Sequence, residues 1–374
     1  MKRIGNLGGL MILVLATAAS AAQAPITGSP LPTAKPFVAV AITTFDRPWS
    51  MAFLPDGQML VTEKAGRLLL LSADGQRRTA VSGIPEVNSS GQSALGEVVI
   101  HPGFAENRFV YFSYSAPGSP NAIVLARGKL VGGLDGAMLE NVTTLYQARP
   151  PKAGGHYAGR IAFSRDGHLF FSMGERQKFT PAQESDSVLG KVVRLTDEGK
   201  PAPGGPLAGK GFASEVWSYG HRNPLGLAFD LQGRLWEAEM GPKGGDEINL
   251  ILPGRNYGWP IVSNGDNYDG TPIPDHPTRP EFEAPKVSWN PSISPSSMTV
   301  YSGKLFPDWQ GKALVSALSG QMLLLIELGA DTAREEARYA MGKRIRSVDQ
   351  GPDGAVYLLE DGPGGQLLRL SPVH

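Results

Sequence analysis

Two nearby stretches, YGHRNPLGLAF (219–229) and EMGPKGGDEINLI (239–251), gather side chains that packing alone does not require together. Arg222 and Asn223 precede a strand-like run; a Gly-Pro turn at Gly241 and Pro242 and a carboxylate pair, Asp246 and Glu247, follow it. A guanidinium, an amide, turn carbonyls and acids suit an anionic, carbonyl-bearing ligand held through a hard cation, because calcium takes carboxylate and backbone oxygens. A solvated turn capped by acids explains Asp246 and Glu247 equally well if Arg222 is set aside.

A second cluster is KRIRSV, where Arg344 and Arg346 alternate along a strand and so share a face. Two guanidiniums on one face repel unless they share an anion, and a ligand carrying several carboxylates would serve, since guanidinium matches carboxylate in a bidentate fork. Of six histidines, His101, His168, His276 and His374 read as solvated or structural, and His221 as a support for its turn. His156 differs. It lies in KAGGHYAGRIAF, where glycines let the backbone approach a ligand, and a neutral imidazole there could take a proton from an alcohol. No zinc spacing, P-loop or nucleophile elbow is present.

These side chains must be positioned by short strands. The chain has 374 residues, with 47 Gly, 31 Pro and no Cys, and its formal net charge is zero, which argues against nucleic acid or an anionic membrane as a partner. Lys2 and Arg3, the apolar run 7–18 and the small residues that follow read as an export signal over 1–24, implying a periplasmic or secreted mature protein with no membrane span. Residues 25–38 form a Pro-rich arm and 39–374 a single domain. In that domain an apolar strand, an Asp-Gly or Gly turn and a second strand recur from Met51, Ile161, Leu227 and Val348, with degenerate copies from Val98 and Lys304. Six such units predict an all-β, six-bladed β-propeller rather than a pair of sandwiches. The polar segments 198–213 and 262–288 are candidate rims of a cleft.

The motifs GQSALGEVVIHPGF (91–104), HYAGRIAFSRDGHLFFSMGE (156–175), YGHRNPLGLAF, EMGPKGGDEINLILPGRNYGWP (239–260) and SPSSMTVYSG (294–303) occur in the order seen in soluble quinoprotein sugar dehydrogenases. The chain resembles the glucose/sorbosone dehydrogenase family, most closely its periplasmic aldose branch, over nearly all of its mature length. The resemblance implies a six-bladed propeller that binds pyrroloquinoline quinone (PQQ) and calcium and oxidises the C1 hydroxyl of aldoses to lactones. It implies His156 as general base and Arg222 and Asn223 at the PQQ carbonyls. Gln92, Tyr268, Arg344 and Arg346 become further cofactor contacts. Gly241 and Pro242 become carbonyl ligands of the PQQ-bound calcium, and Glu247 and Tyr257 ligands of a second calcium. In two places the chain departs from the pattern. Ser319 stands where many relatives carry a lysine against PQQ, with Lys343 as a candidate substitute, and Gly155 stands where the glucose-specific branch has an acid that would orient the base. The electron acceptor, and the choice between monomer and homodimer, are not encoded in any motif. A calcium-dependent lactonase and a non-catalytic binding propeller are the alternatives.

Overall fold

The computed structural model describes residues 26–27 and 32–373, so the leader over 1–24 and His374 lie outside the described residues. Those described are almost wholly β, with one short α-helix, Phe104–Asn107, and three short 3-10 turns. None of their helices is long and apolar enough to cross a membrane.

Antiparallel strands follow one another in groups that span 48–82, 95–147, 158–219, 224–290, 295–340 and 345–372. The first two groups form one eight-stranded sheet, joined by parallel pairing of Ala137 and Met138 with Val81 and Ser82. The first strand of each group packs against the first strands of its neighbours: Pro48–Phe53 on Leu95–Ile100, then Ala158–Phe163, Pro224–Phe229, Pro295–Val300, Ile345–Gln350 and back to Pro48–Phe53. The ring is closed by hydrogen bonds between the two ends of the chain. Phe37–Asp46, near the N-terminus, pairs antiparallel with Pro363–Pro372, near the C-terminus, as the outermost strand of the last group. That strand begins at Phe37, inside the expected arm, and Ile26–Thr27 pairs with Trp289 and Asn290.

The hairpin signal works for a physical reason. In the Asp-Gly turns the aspartate accepts from the backbone N–H two residues on, as Asp56 does from Gln58 (3.1 Å) and Asp353 from Ala355 (3.1 Å), while Gly57 and Gly354 take left-handed φ values of 87° and 82°. The copy read from Lys304 is out of phase. Its innermost strand is Pro295–Val300, and the turn that follows is a long one containing the 3-10 piece Pro307–Trp309 in place of an Asp-Gly pair.

Among the described residues there is no single central core. Buried side chains instead form clusters between neighbouring groups, such as Met51, Met59, Val61 and Leu71 against Tyr357, Leu359 and Leu367, or Trp236, Ile248 and Trp289 against Met298, Val315 and Leu324. Each fully buried Leu or Met contributes roughly 1.5–3 kcal/mol, so the ring is held at every seam rather than at one point.

Candidate active site

Where the first strands begin, the ring opens into a cavity of about 460 Å³. Gln92, His156, Arg222, Asn223, Gly241, Tyr268, Arg344 and Arg346 all line it, although they come from widely separated parts of the chain. Segment 262–288 supplies Tyr268, which is 74% exposed at the rim, whereas 198–213 contributes nothing to the cavity lining.

His156 is buried and sits at φ 46°, two residues after Gly154 at φ 134°. Its backbone N–H donates to Gln92 Oε1 (2.7 Å), and Gly155 N–H donates to Gln177 Oε1 (2.8 Å). A side chain at 155 would bring its Cβ to 2.6 Å from Gln92 Oε1, so an acid there would have to displace the Gln92 and Gln177 side chains that hold this backbone. Glu175 supplies the carboxylate instead. Its Oε1 lies 2.5 Å from His156 Nδ1, and its Oε2 accepts from the backbone N–H groups of Lys178 and Phe179. A carboxylate can only accept, so Nδ1 carries the proton and Nε2 is left as the basic nitrogen. Burial lowers the pKa of His156, with the nearby Arg222 acting in the same direction and the Glu175 hydrogen bond partly opposing them. Burial acts to raise Glu175, but the bond to His156 and the two backbone donors outweigh it and hold the carboxyl below its ordinary range. Glu175 closes the motif HYAGRIAFSRDGHLFFSMGE that His156 opens, yet no spacing rule ties the two.

Arg222 is buried. It donates through Nη1 to Met240 O (3.0 Å), lies 5.2 Å from the Trp259 ring centre, and leaves Nε without a partner. The Arg222 and Asn223 backbone N–H groups both donate to Glu239, which fixes the turn. Asn223 Oδ1 is likewise buried without a partner.

Arg344 and Arg346 do share an anion, but it belongs to the protein: Asp361 accepts from Arg344 Nε (2.8 Å) and from Arg346 Nε and Nη2 (2.9 and 2.7 Å). Arg346 also stacks on Trp49, 4.4 Å from its ring centre. Trp49, Arg47, Lys64 and Asp361 all line the cavity and had no sequence signal. Ser319 is exposed, bonds Ser294 Oγ (2.7 Å) and is not part of the lining; Lys343 is exposed and also lies outside it.

The acids separate into two roles. Asp246 is buried and accepts from Gly241 N (2.9 Å) at Oδ1 and from Ser292 Oγ (2.6 Å), Ile293 N (2.6 Å) and Ser294 N (2.7 Å) at Oδ2, so it ties the Gly241 turn to the segment that leads into the next sheet group. Glu247 lies apart from the main cavity, in a small void shared with Glu239, Gly241 and Tyr257; Pro242 lines neither space. Glu239 pairs across the strands with Glu247, and Glu237 with Asn249. Glu237 Oε1, Asn249 Oδ1 and both ring nitrogens of His276 are buried without partners, and ligand atoms of His221, Glu237 and Glu239 lie within 4.8 Å of one another. Burial and mutual repulsion raise the proton affinity of Glu237 and Glu239 well above the carboxylate range. His276 is therefore no solvated loop residue: it is buried 3.6 Å from Glu247. The Tyr257 hydroxyl is committed to Leu250 O (2.5 Å) and Leu252 N–H (2.8 Å), and its ring stacks on buried His221. Only its backbone is left to meet an ion.

A family model described as Glucose / Sorbosone dehydrogenase matches residues 45–369. The chain is 38% identical over 337 residues to the aldose sugar dehydrogenase YliI of Escherichia coli K12, covering 87% of this chain and 90% of that protein. Among solved structures it is similar to the soluble aldose sugar dehydrogenase of Escherichia coli in its apo-form (TM-score 0.84, 36% identity, 90% of this chain and 100% of that one). It is also similar to the PQQ-bound aldose sugar dehydrogenase of Streptomyces coelicolor (TM-score 0.73, 28% identity, 91% and 99%). With the matched span and the shared architecture taken together, the chain belongs to the glucose/sorbosone dehydrogenase family.

Proposed function

We propose that the protein is a PQQ- and calcium-dependent aldose sugar dehydrogenase built on a six-bladed propeller, exported to the periplasm through the leader over 1–24. The ring of mutually packed first strands supports the blade count. The observation that carries the function is the cavity itself: an imidazole held by Glu175 faces a space whose walls carry Arg222, with an unpartnered Nε, and a cluster of cations around Asp361.

The lining fits the cofactor. A planar tricarboxylate needs cationic groups at its edge, which Arg344 and Arg346 offer, and flat or apolar surfaces against its rings, which Trp49, Leu225 and Leu318 offer. When bound, PQQ supplies the quinone that accepts hydride from the sugar C1. His156 Nε2 takes the proton from the C1 hydroxyl, and Glu175 stabilises the imidazolium that results. Arg222 sets a fixed positive charge near the group that gains electron density, and Asn223 and Gln92 complete that edge. Tyr268 shapes the mouth through which the sugar enters. The oxygen-rich cluster of Glu237, Glu239, Glu247 and Asn249 is of the type that holds calcium, while Gly241, which lines the main cavity, offers a carbonyl on the cofactor side, with Pro242 next in the same turn. A lactonase would leave the cationic wall without a task.

Titration of purified protein with PQQ, with and without calcium, followed by dye reduction with aldoses, tests the proposal. Saturable PQQ binding and sugar-dependent turnover are expected; an intact fold with neither overturns it.

A further inference from the structure

Arg47 and Lys64 belong to the cavity wall built by the first and last sheet groups. Backbone hydrogen bonds fix both: Lys64 N–H donates to Arg47 O (2.9 Å), and Arg47 N–H donates to Gly362 O (3.1 Å). The Lys64 ammonium donates to Gly91 O (2.6 Å), next to Gln92. Among the described residues it makes no ion pair within 4.0 Å, because the nearby carboxylate, Asp361, is taken by Arg344 and Arg346. Of the four cations on this wall, Arg344 and Arg346 share Asp361 and Arg47 pairs with Asp46 (3.3 Å), so four positive charges meet two carboxylates and a surplus of two remains, with Lys64 the cation lacking a carboxylate partner among the described residues. Partial burial, then Arg47 and Arg346, pull the proton affinity of Lys64 down, as expected of an ammonium short of a counter-ion.

We propose that Lys64, backed by Arg47, is a binding residue for a carboxylate of PQQ, and that it does the work of the lysine missing at Ser319. The inference rests on the PQQ reading above, and the net positive wall suits a ligand that carries several carboxylates.

The test measures PQQ affinity through quenching of tryptophan fluorescence, with Trp49 in the cavity wall and Trp259 beside Arg222 as reporters. PQQ is compared with its trimethyl ester, on wild type, Lys64→Gln and Lys64→Arg, with melting temperature as the control for folding. Lys64→Gln is expected to weaken PQQ binding about 10- to 100-fold, the range for a hydrogen bond between charged groups. Lys64→Arg restores most of it, and the ester binds wild type and Lys64→Gln alike. Equal PQQ affinity in Lys64→Gln and wild type, or equal losses for PQQ and its ester, overturns this inference alone. If Lys64→Gln does not fold, a wild type that binds the ester as tightly as PQQ overturns it instead. A wild type that binds no PQQ overturns the cofactor reading and this inference with it.

Discussion

Replacing Glu175 with Gln changes one atom and removes one charge from the group behind the base. In wild type, Oε1 fixes the proton on His156 Nδ1 and Oε2 is fixed by two backbone donors. In Glu175→Gln the amide oxygen can satisfy either the backbone donors or Nδ1–H but not both, and its NH2 then opposes a donor. A hydrogen bond to a charged partner contributes about 1.5–3 kcal/mol, which converts to a loss of roughly 10- to 100-fold in kcat/KM if it acts mainly on the transition state, where the imidazolium forms. The direction of the pH effect follows from the causes. Glu175 holds the His156 pKa up against burial. Without that charge the imidazole loses its proton at lower pH, so the acid limb of the kcat/KM profile moves toward lower pH while the plateau falls. The assay is steady-state dye reduction with an aldose from about pH 4 to 8, after reconstitution with PQQ and calcium, alongside PQQ affinity by fluorescence, which should stay unchanged. A plateau within about threefold of wild type together with an unmoved acid limb would refute the orienting role.

His156→Ala should retain PQQ affinity and lose about 10²- to 10⁴-fold in kcat, the range for general-base catalysis; loss of binding with little change in kcat would contradict its assignment. Asp246→Ala strands three buried N–H groups and a hydroxyl, so it should lower the melting temperature by ~5 °C or more, read by calorimetry; an unchanged melt would show that the Gly241 turn and the segment 292–294 are held otherwise. Calcium at about 100 times its Kd should stabilise the fold by roughly 2.7 kcal/mol, and Glu247→Gln should abolish most of that increment; melts that coincide in calcium and in chelator would remove the metal from this cluster.

Local chemistry was legible and long-range convergence was not. Turns such as Asp56-Gly57 announce hairpins because the aspartate and the left-handed glycine act within four residues. The closing strand Phe37–Asp46 carries no such mark: most of its residues are exposed, and its partner lies at the other end of the chain. The site follows the same division. His156, Arg222 and Asn223 stand in glycine- or proline-marked segments that betray a tight approach. Glu175 meets His156 across a single hairpin, a pairing no spacing rule announces, while Lys64, Trp49 and Asp361 come together only because the ring closes, so no window of sequence joins them. Arg344 and Arg346 were correctly read as needing an anion, but pattern alone cannot tell a ligand's carboxylate from Asp361.

The pairing of Phe37–Asp46 with Pro363–Pro372 has a consequence for assembly. Arg47 emerges straight from the first of these strands, and Arg344, Arg346 and Asp361 belong to the last sheet group. The cationic wall is therefore absent from every chain shorter than nearly full length, and it comes into being when the two ends zip together. Any anion bridging Lys64 and Arg346 clasps that zipper from inside, so occupancy of the cavity and resistance to peeling of the termini become two readings of one equilibrium.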